Sequence, residues 1–417
     1  MSDPTAREQL ILELINRARM DPLGEARRYN INLNEGLRSG TLNGTPKQVL
    51  AVNGQLNDAA DSHSRWMLDT DTFSHTGVGG SDPGDRMADA GYRFSGAWTW
   101  GENIAWSGTT GTMNGDTEAA QHHEDLFLSA GHRENILGGD FREIGIGSLT
   151  GEFEGYNALM TTEAFAASGA QHFITGVCYK DSNGNEFYSI GEGQGGIRAT
   201  LLKNGAVAGS AASQGAGGYA IGTGVTGACE LRFSGGPLDK MAGAKFTAGS
   251  SNLKIDLVDG GTIASNVSAK LTGQASGLDL LGIQAIDATG NALANTITGN
   301  SGNNVIAGLG GADRMTGGTG SDRFDFRSVA ECKGDVVTDF DPAKDVLSFK
   351  KIDAIAGGAD SAFTFDGSAF DGQAGSLCAV KQGGKTLVQG DIDGDRVADF
   401  MVTLTGSHTL GAGDFIL

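Results

Sequence analysis

The chain has 417 residues, 50 acidic and 30 basic, for a net charge of −20. A polyanion is held by a basic footprint that this composition lacks, so no nucleic acid is expected as the main partner. Glycine supplies 68 residues, about 16% of the chain against the roughly 7% of an average protein and without a collagen-like period. The length argues for two to four domains rather than one.

Charge divides the chain into three zones: 1–168 at −12, 169–258 at +1 and 259–417 at −9. The head's acids are half Asp and half Glu, whereas 19 of the 20 in the tail are Asp, the short carboxylate that suits turns and oxygen-ligand loops. The same boundaries are the predicted domain boundaries. The first residues carry no charged-then-apolar leader, and nowhere do about 18 apolar residues run together, so neither a cleaved secretory signal nor a transmembrane segment is expected. Cys178, Cys229, Cys332 and Cys378 are too few and too scattered for a zinc ribbon or a dense disulfide scaffold. Spacing does not give their pairing; a Cys178–Cys229 bridge would clip the middle zone if the two β-carbons face each other.

The head reads as helices followed by strands. Asp3 with Pro4 predicts a helix start ahead of Leu10, Ile11, Leu14, Ile15 and Ala18 at helical spacing. A second helix is predicted through Leu56, Ala59, Ala60, His63 and Met67, and a third from Asp116 as cap through Ala119, His123 and Phe127. Ile144-Gly-Ile-Gly-Ser-Leu and Leu159-Met-Thr-Thr-Glu-Ala-Phe read as buried strands. Five of the seven histidines fall between 63 and 132, which invites a metal or acid–base reading. His63 reads as a satisfied core histidine, His123 as packing and His122 as exposed. His123-Glu124 lacks a second histidine four residues on, so the zinc-protease helix motif is absent.

In the middle zone Phe173–Tyr179, Gly196–Leu202, Gly218–Ile221 and Cys229–Phe233 are short strands parted by glycine and polar turns, a small β-sandwich pattern. Asp181, Asn183, Asn185 and Glu192 stand at the first, third, fifth and twelfth places of an EF-hand-like calcium loop, with Glu186 where the turn glycine belongs; a plain Asn-Gly hairpin fits the same stretch. The zone resembles the calcium-binding B-repeat sandwiches of bacterial adhesins over about 80 residues. In the tail, Gly290, Gly299, Gly308 and Gly317 lie nine apart. Asn295, Asn304, Asp313 and Asp322 hold the sixth place of each unit, and Ile297, Ile306, Met315 and Phe324 the eighth. A glycine turn, an oxygen ligand and one inward apolar residue per unit predict a parallel β-helix repeat that binds Ca²⁺ between stacked turns. Asn at 295 and 304 and Leu293 at a glycine place predict one or two occupied sites. Asp391, Asp393, Asp395 and Asp399 have calcium-loop spacing, but Arg396 takes the glycine place and no twelfth glutamate follows, so a polar hairpin turn is expected there.

These repeats (290–325) resemble the RTX family. The tail as a whole, from about 285 to 417, resembles the C-terminal secretion domain of serralysin-type proteases through Asp335–Phe349, Gly384–Phe400 and the closing Asp414-Phe-Ile-Leu417. The resemblance implies Ca²⁺ as cofactor and the type I secretion apparatus as partner. The head resembles the CAP family, the cysteine-rich secretory, antigen-5 and pathogenesis-related proteins, over residues 5–168. The motifs are His63-Ser-Arg-Trp-Met, Phe73-Ser-His75-Thr-Gly, Gly101-Glu102-Asn-Ile-Ala-Trp and Ser129-Ala-Gly-His132-Arg-Glu-Asn-Ile-Leu137. The CAP resemblance implies an α-β-α sandwich with two histidines and two acids in a cleft, where some members bind Zn²⁺ or another divalent cation. By motif these are His75, Glu102 and His132, with Glu124 chosen as second acid over Glu118 and Asp125.

The expected fold is therefore multidomain: an α-β-α CAP sandwich, a small all-β sandwich, and a parallel β-roll with a β-sandwich-like C-terminal cap. The expected function is that of an extracellular, calcium-binding, non-enzymatic protein, exported by type I secretion and folded by calcium, whose cleft takes a protein, glycan or lipid partner or a divalent metal. The alternative is a secreted hydrolase with His75 or His132 as general base, Glu102 as orienter and Ser129 or a metal-bound water as nucleophile. A third class is a surface adhesin acting through residues 169–258.

Overall fold

The computed structural model describes residues 3–417 except 356, 358 and 359. The chain separates into two compact units, residues 1–239 with 248–260, and residues 240–247 with 261–417. The first unit thus holds the acidic head together with most of the near-neutral middle zone, whose residues 240–247 belong to the second.

In the head, α1 (Ala6–Met20), α2 (Pro22–Arg28), β1 (Ala51–Val52), α3 (Gly54–Asp69), α4 (Pro83–Asp89), β2 (Trp98–Thr109), α5 (Gly115–Leu128), α6 (Ala130–Ile136), β3 (Glu143–Phe153) and β4 (Tyr156–Ser168) follow one another. Helix α1 starts from Thr5, not from Asp3-Pro4. Thr5 Oγ1 accepts the Glu8 N–H and Glu8 accepts the Thr5 N–H, so a capping box satisfies donors that Asp3 is placed too early to reach. Likewise Asn114, not Asp116, precedes α5; Asp116 sits in the first turn, where its charge suits the helix dipole.

The four strands order as β1-β3-β4-β2, with β1 and β3 parallel and the remaining pairs antiparallel. One face packs Ile11, Leu12 and Ile15 of α1 and Ala119, Leu126 and Phe127 of α5 against Ile144, Ile146, Leu159 and Phe165. The other face packs Leu56, Ala59 and Ala60 of α3 and Met87 of α4 against Ala164 and Ala166. The alternation in Ile144-Gly-Ile-Gly has a steric cause. A β-carbon on Gly145 would lie 1.9 Å from the Leu56 carbonyl carbon, and one on Gly147 2.4 Å from that of Ala60, so α3 rests directly on the strand.

The middle strands are β5 (His172–Tyr179), β6 (Arg198–Lys203), β7 (Ala206–Ala212), β8 (Gly218–Thr223) and β9 (Gly227–Ser234) and, beyond β10 (Ala242–Ala248), β11 (Leu253–Val258). β5 lies between β8 and β11, and β6 between β7 and β9. Tyr219 of β8 meets Phe233 of β9 edge to face at 5.7 Å. This layer is bonded to the head. Lys254 Nζ, buried, lies 2.7 Å from Glu13 and 2.6 Å from Asp256, and Asn252 donates to the carbonyls of Val49 and Arg142. All four cysteines are free and buried, so no Cys178–Cys229 clip forms.

In the second unit two ladders of short parallel strands stack. One runs β12 (Thr262–Ser265), β14 (Gly277–Leu280), β16 (Thr296–Thr298), β18 (Arg314–Thr316) and β20 (Val336–Val337). The other runs β13 (Ala269–Gly273), β15 (Ala288–Thr289), β17 (Val305–Ala307), β19 (Arg323–Asp325) and β21 (Val346–Ser348). Ile297 pairs with Met315 and Ile306 with Phe324, so two nine-residue units make one turn, and all four side chains are fully buried. These mostly parallel, strand-rich ladders are those of a β-roll. After Phe324 the offset lengthens: Met315 pairs with Val337 and Phe324 with Leu347. The chain then passes β22 (Thr364–Phe365) and closes with antiparallel β23 (Ser376–Gln382), β24 (Lys385–Asp391) and β25 (Phe400–Thr405). Finally β26 (Phe415–Ile416) pairs with β21, and Phe349, Phe363, Phe400 and Phe415 cluster at this end.

Candidate functional site

In the head, strand β2 is the edge of the sheet, and the cleft histidines gather around its Glu102. His75, in the segment after α3, places Nδ1 2.8 Å from Glu102 Oε1. His63 on α3 lies with Nε2 3.9 Å from the same oxygen and 2.9 Å from the Ser74 carbonyl, its ring stacked on Trp66. It is buried and bonded through Nε2, but its Nδ1 is buried without a partner, so it is not fully satisfied, and it borders the cleft. Arg86 of α4 donates to Glu102 Oε2 at 2.5 Å and to the carbonyls of His75 and Ser81. No sequence signal linked Arg86 to this carboxylate; the pairing is created by the packing of α4 on β2.

His132 on α6 is half-buried, and its Nδ1 is buried without a partner. Burial first, and the neighbouring His75 second, push its pKa down, so the ring is neutral. Among the described residues, Glu124 of α5 makes no hydrogen bond or ion pair with His75, Glu102 or His132; its charge is felt weakly at Tyr29 and His123. His123 is fully buried and bonded to Glu25 at 3.1 Å; burial pushes the Glu25 carboxyl up, but His123 and Arg17 outweigh it and hold it down at about 2. The donors available to a divalent cation are therefore two imidazoles beside a carboxylate that already serves a guanidinium. That set does not fit a zinc ion: Glu102 takes the Nδ1 of His75, which leaves two imidazoles where a protein zinc site uses three or four ligands, and among the described residues these side chains do not bring three ligand atoms together.

Beneath the cleft Asn103 donates to Glu163 at 2.9 Å and to the His132 carbonyl, and Asn135 donates to Asn103 and to the Glu102 carbonyl. Glu163 is fully buried, and desolvation pushes it up to about 7. His122, read as exposed, is 1% exposed. Its Nε2 lies 2.9 Å from Ser107 Oγ and its Nδ1 2.9 Å from Thr161 Oγ1, and burial lowers its pKa to about 4. The α5 face that carries Ala119 and Phe127 is wide enough to bury both adjacent histidines.

In the roll, Asp313 Oδ1 accepts the Asn295 N–H and Asp322 Oδ1 the Asn304 N–H, while Oδ2 of each is buried with no partner. Desolvation pushes both carboxyls up to about 6. Each column continues: Asp335 accepts from Asp313 N–H, and Asp345 from Asp322 N–H. Asp335 is raised to about 7, again by burial, and Asp339 accepts the N–H groups of Gly317 and Gly318. The nine-residue period did not reveal these three acids, because each stands 21 to 23 residues after the repeat residues it bonds rather than 18. The turns leave no room for a β-carbon: one on Gly308 would lie 2.2 Å from Asp313 Oδ2, and one on Gly299 2.2 Å from the Gly317 carbonyl. Orphan carboxylate oxygens beside close-packed carbonyls are a donor set that fits calcium.

The middle loop gathers its predicted oxygens around its own backbone. Asp181 accepts the N–H groups of Gly184, Asn185 and Glu186, Glu192 those of Ser182 and Ser189, and Asn183 and Asn185 both donate to Ser189 Oγ. Glu186 has φ of 59°, the left-handed backbone that a glycine would take at this place. Asp391, Asp393 and Asp395 bring their oxygens within 4.8 Å of one another, the only such acidic or histidine group among the described residues. They lie in the hairpin turn between β24 and β25, and Asp391 accepts the Gly394 and Arg396 N–H groups.

Residues 12–166 match the model of the cysteine-rich secretory protein family, CAP, and residues 289–324 match four copies of the RTX calcium-binding nonapeptide repeat. Among curated proteins none matches. Similar solved structures include an extracellular protein containing a SCP domain from Bacillus anthracis, at 26% identity and TM-score 0.25, covering 38% of this chain and 39% of that one. A subunit of the Azotobacter vinelandii mannuronan C5-epimerase is 22% identical, TM-score 0.24, covering 34% and 78%. An outer surface protein from Borrelia burgdorferi is 15% identical, TM-score 0.27, covering 40% and 97%.

Proposed function

From a chain that carries a CAP domain and RTX calcium-binding repeats, we propose an extracellular, non-enzymatic binding protein, built of a CAP head, a middle β-sandwich and a calcium-loaded roll. Type I secretion exports it and calcium folds it outside the cell. The observation that carries this reading is the pair of buried, unpartnered oxygens on Asp313 and Asp322. Buried carboxylates without a partner are costly, and a cation bound only by the folded chain repays that cost by mass action. Where calcium is scarce the roll stays loose enough for export; at the roughly 10⁻⁴–10⁻³ M affinities of extracellular modules it closes outside. The loop of Asp181, Asn183, Asn185 and Glu192 is a further, weaker calcium site in this reading.

The cleft of His75, Glu102 and His132 serves a partner rather than a metal. Support comes from the Arg86–Glu102 pair and from the segment beside it, which leaves Phe73 and Val78 exposed. The test is calorimetric titration of chelator-treated full-length protein with Ca²⁺ and separately Zn²⁺, followed by circular dichroism. Calcium uptake with a gain of strand signal is expected, and no zinc uptake that depends on His132; calcium uptake without any gain of structure would sink the folding role.

Hydrolysis is the second reading, and one observation favours it away from Glu102. Ser107 stands five residues further along β2, about 17 Å, bonded to His122, which Thr161 orients. With Nδ1–H given to Thr161, neutral His122 leaves Nε2 to take the Ser107 proton. A fluorophosphonate probe that labels Ser107 in the folded protein, and not after Ser107→Ala, would bring this reading forward.

A further inference from the structure

The four nonapeptide turns do not close in the same way. Asn304 Oδ1 accepts the Asn300 N–H at 2.9 Å, which fixes the orientation of the amide. Its Nδ2 donates to the Ile286 carbonyl at 2.7 Å and to Asn300 Oδ1 at 3.1 Å. Asn295 repeats the pattern more loosely: Oδ1 accepts the Asn291 N–H at 2.8 Å, and Nδ2 faces the Ala275 carbonyl at 3.3 Å and Asn291 Oδ1 at 3.4 Å. In the next two turns a carboxylate replaces the amide and nothing replaces its N–H groups, so Oδ2 of Asp313 and of Asp322 is left buried and bare.

We infer that the roll is divided after residue 304: the turns of Asn295 and Asn304 are closed by their own amide nitrogens and take no ion, and calcium enters only from Asp313 onward. A carbonyl and a side-chain oxygen that converge need something positive between them. In a carboxylate turn this is a cation; in an amide turn the Nδ2–H groups already occupy the place, and they would point at an incoming ion. Each column of turn side chains therefore begins with a self-sealed turn, Asn295 above Asp313 and Asn304 above Asp322, and continues into Asp335 and Asp345. It follows that strands up to β17 hold together without calcium and present a finished edge on which the calcium-dependent turns assemble.

This inference rests on the calcium reading above, and the experiment separates the two. Calcium stoichiometry of the full-length chain is measured by titration calorimetry for the wild type, Asp322→Asn, Asp322→Ala and Asn304→Asp. The expected result is one equivalent fewer in both Asp322 variants. In chelator, Asp322→Asn should hold more strand signal than Asp322→Ala, because only the amide can close the turn. Asn304→Asp should take up one equivalent more than wild type. An unchanged count in Asn304→Asp, or equal strand signal for the two Asp322 variants, overturns the division while leaving the calcium reading standing. No uptake by the wild type overturns both.

Discussion

At the residue scale, the head is governed by buried charge. Glu102 is 8% exposed and answers to Arg86, so Arg86→Met leaves a carboxylate uncompensated and should cost about 3–5 kcal/mol, read as a lowered denaturant midpoint with unchanged slope. Glu163 is the opposite case, an acid whose pKa rises from 4.5 to about 7 on burial. Between those values the folded state binds more protons than the unfolded one, so its contribution makes stability fall as pH rises from 4.5 to 7. Glu163→Gln should remove that slope, raising the melting temperature at pH 8 and changing it little at pH 4.5. A variant that melts lower at pH 8 would mean the charged carboxylate is bonded better than its buried, unpartnered Oε1 indicates. None of this was legible in the sequence. Short motifs point to His75, Glu102 and His132, whereas Arg86, Asn103 and Glu163 reach the cleft only through the pairing of β2 with β4 and the seating of α4.

At the element scale, periodicity carried the reading wherever one residue type repeats against one surface. The nine-residue glycine period located the roll, and helical spacing located α1, α3 and α5. Ends of elements were read less well: the Thr5–Glu8 box competes with Asp3-Pro4 and wins because it satisfies two donors at once. His122 was misjudged because a single-stripe view of α5 leaves it outside, while the helix packs along β2 and β4 as well as α1. Glycine in β3 has a role that only packing explains. Gly145→Val would drive a side chain into the backbone of α3, and overpacking of this kind costs about 1–3 kcal/mol or more. The expected result is a head that melts far lower or is recovered unfolded; unchanged melting would mean that α3 can slide on the sheet.

On the scale of the whole molecule, two units imply two unfolding events. Chelator should lower the transition of the unit that contains the roll strongly and that of the unit containing the head only slightly, through its weaker loop at Asp181–Glu192, as followed by differential scanning calorimetry. Within the first unit the Lys254–Glu13–Asp256 cluster crosses from the middle strands to α1 with all three groups buried. Lys254→Met should therefore lower the melting of head and middle strands together, as one transition. The zones drawn from charge could not foresee this, since Glu13 stands some 240 positions before Lys254, its partner, and the interaction forms only once both layers exist. The buried cysteines are divided between the units, Cys178 and Cys229 in the first and Cys332 and Cys378 in the second. The protein thereby carries its own pair of clocks. In a maleimide pulse, the roll-side thiols should react at the rate at which calcium leaves, while the head-side thiols keep the slower time of their own unit.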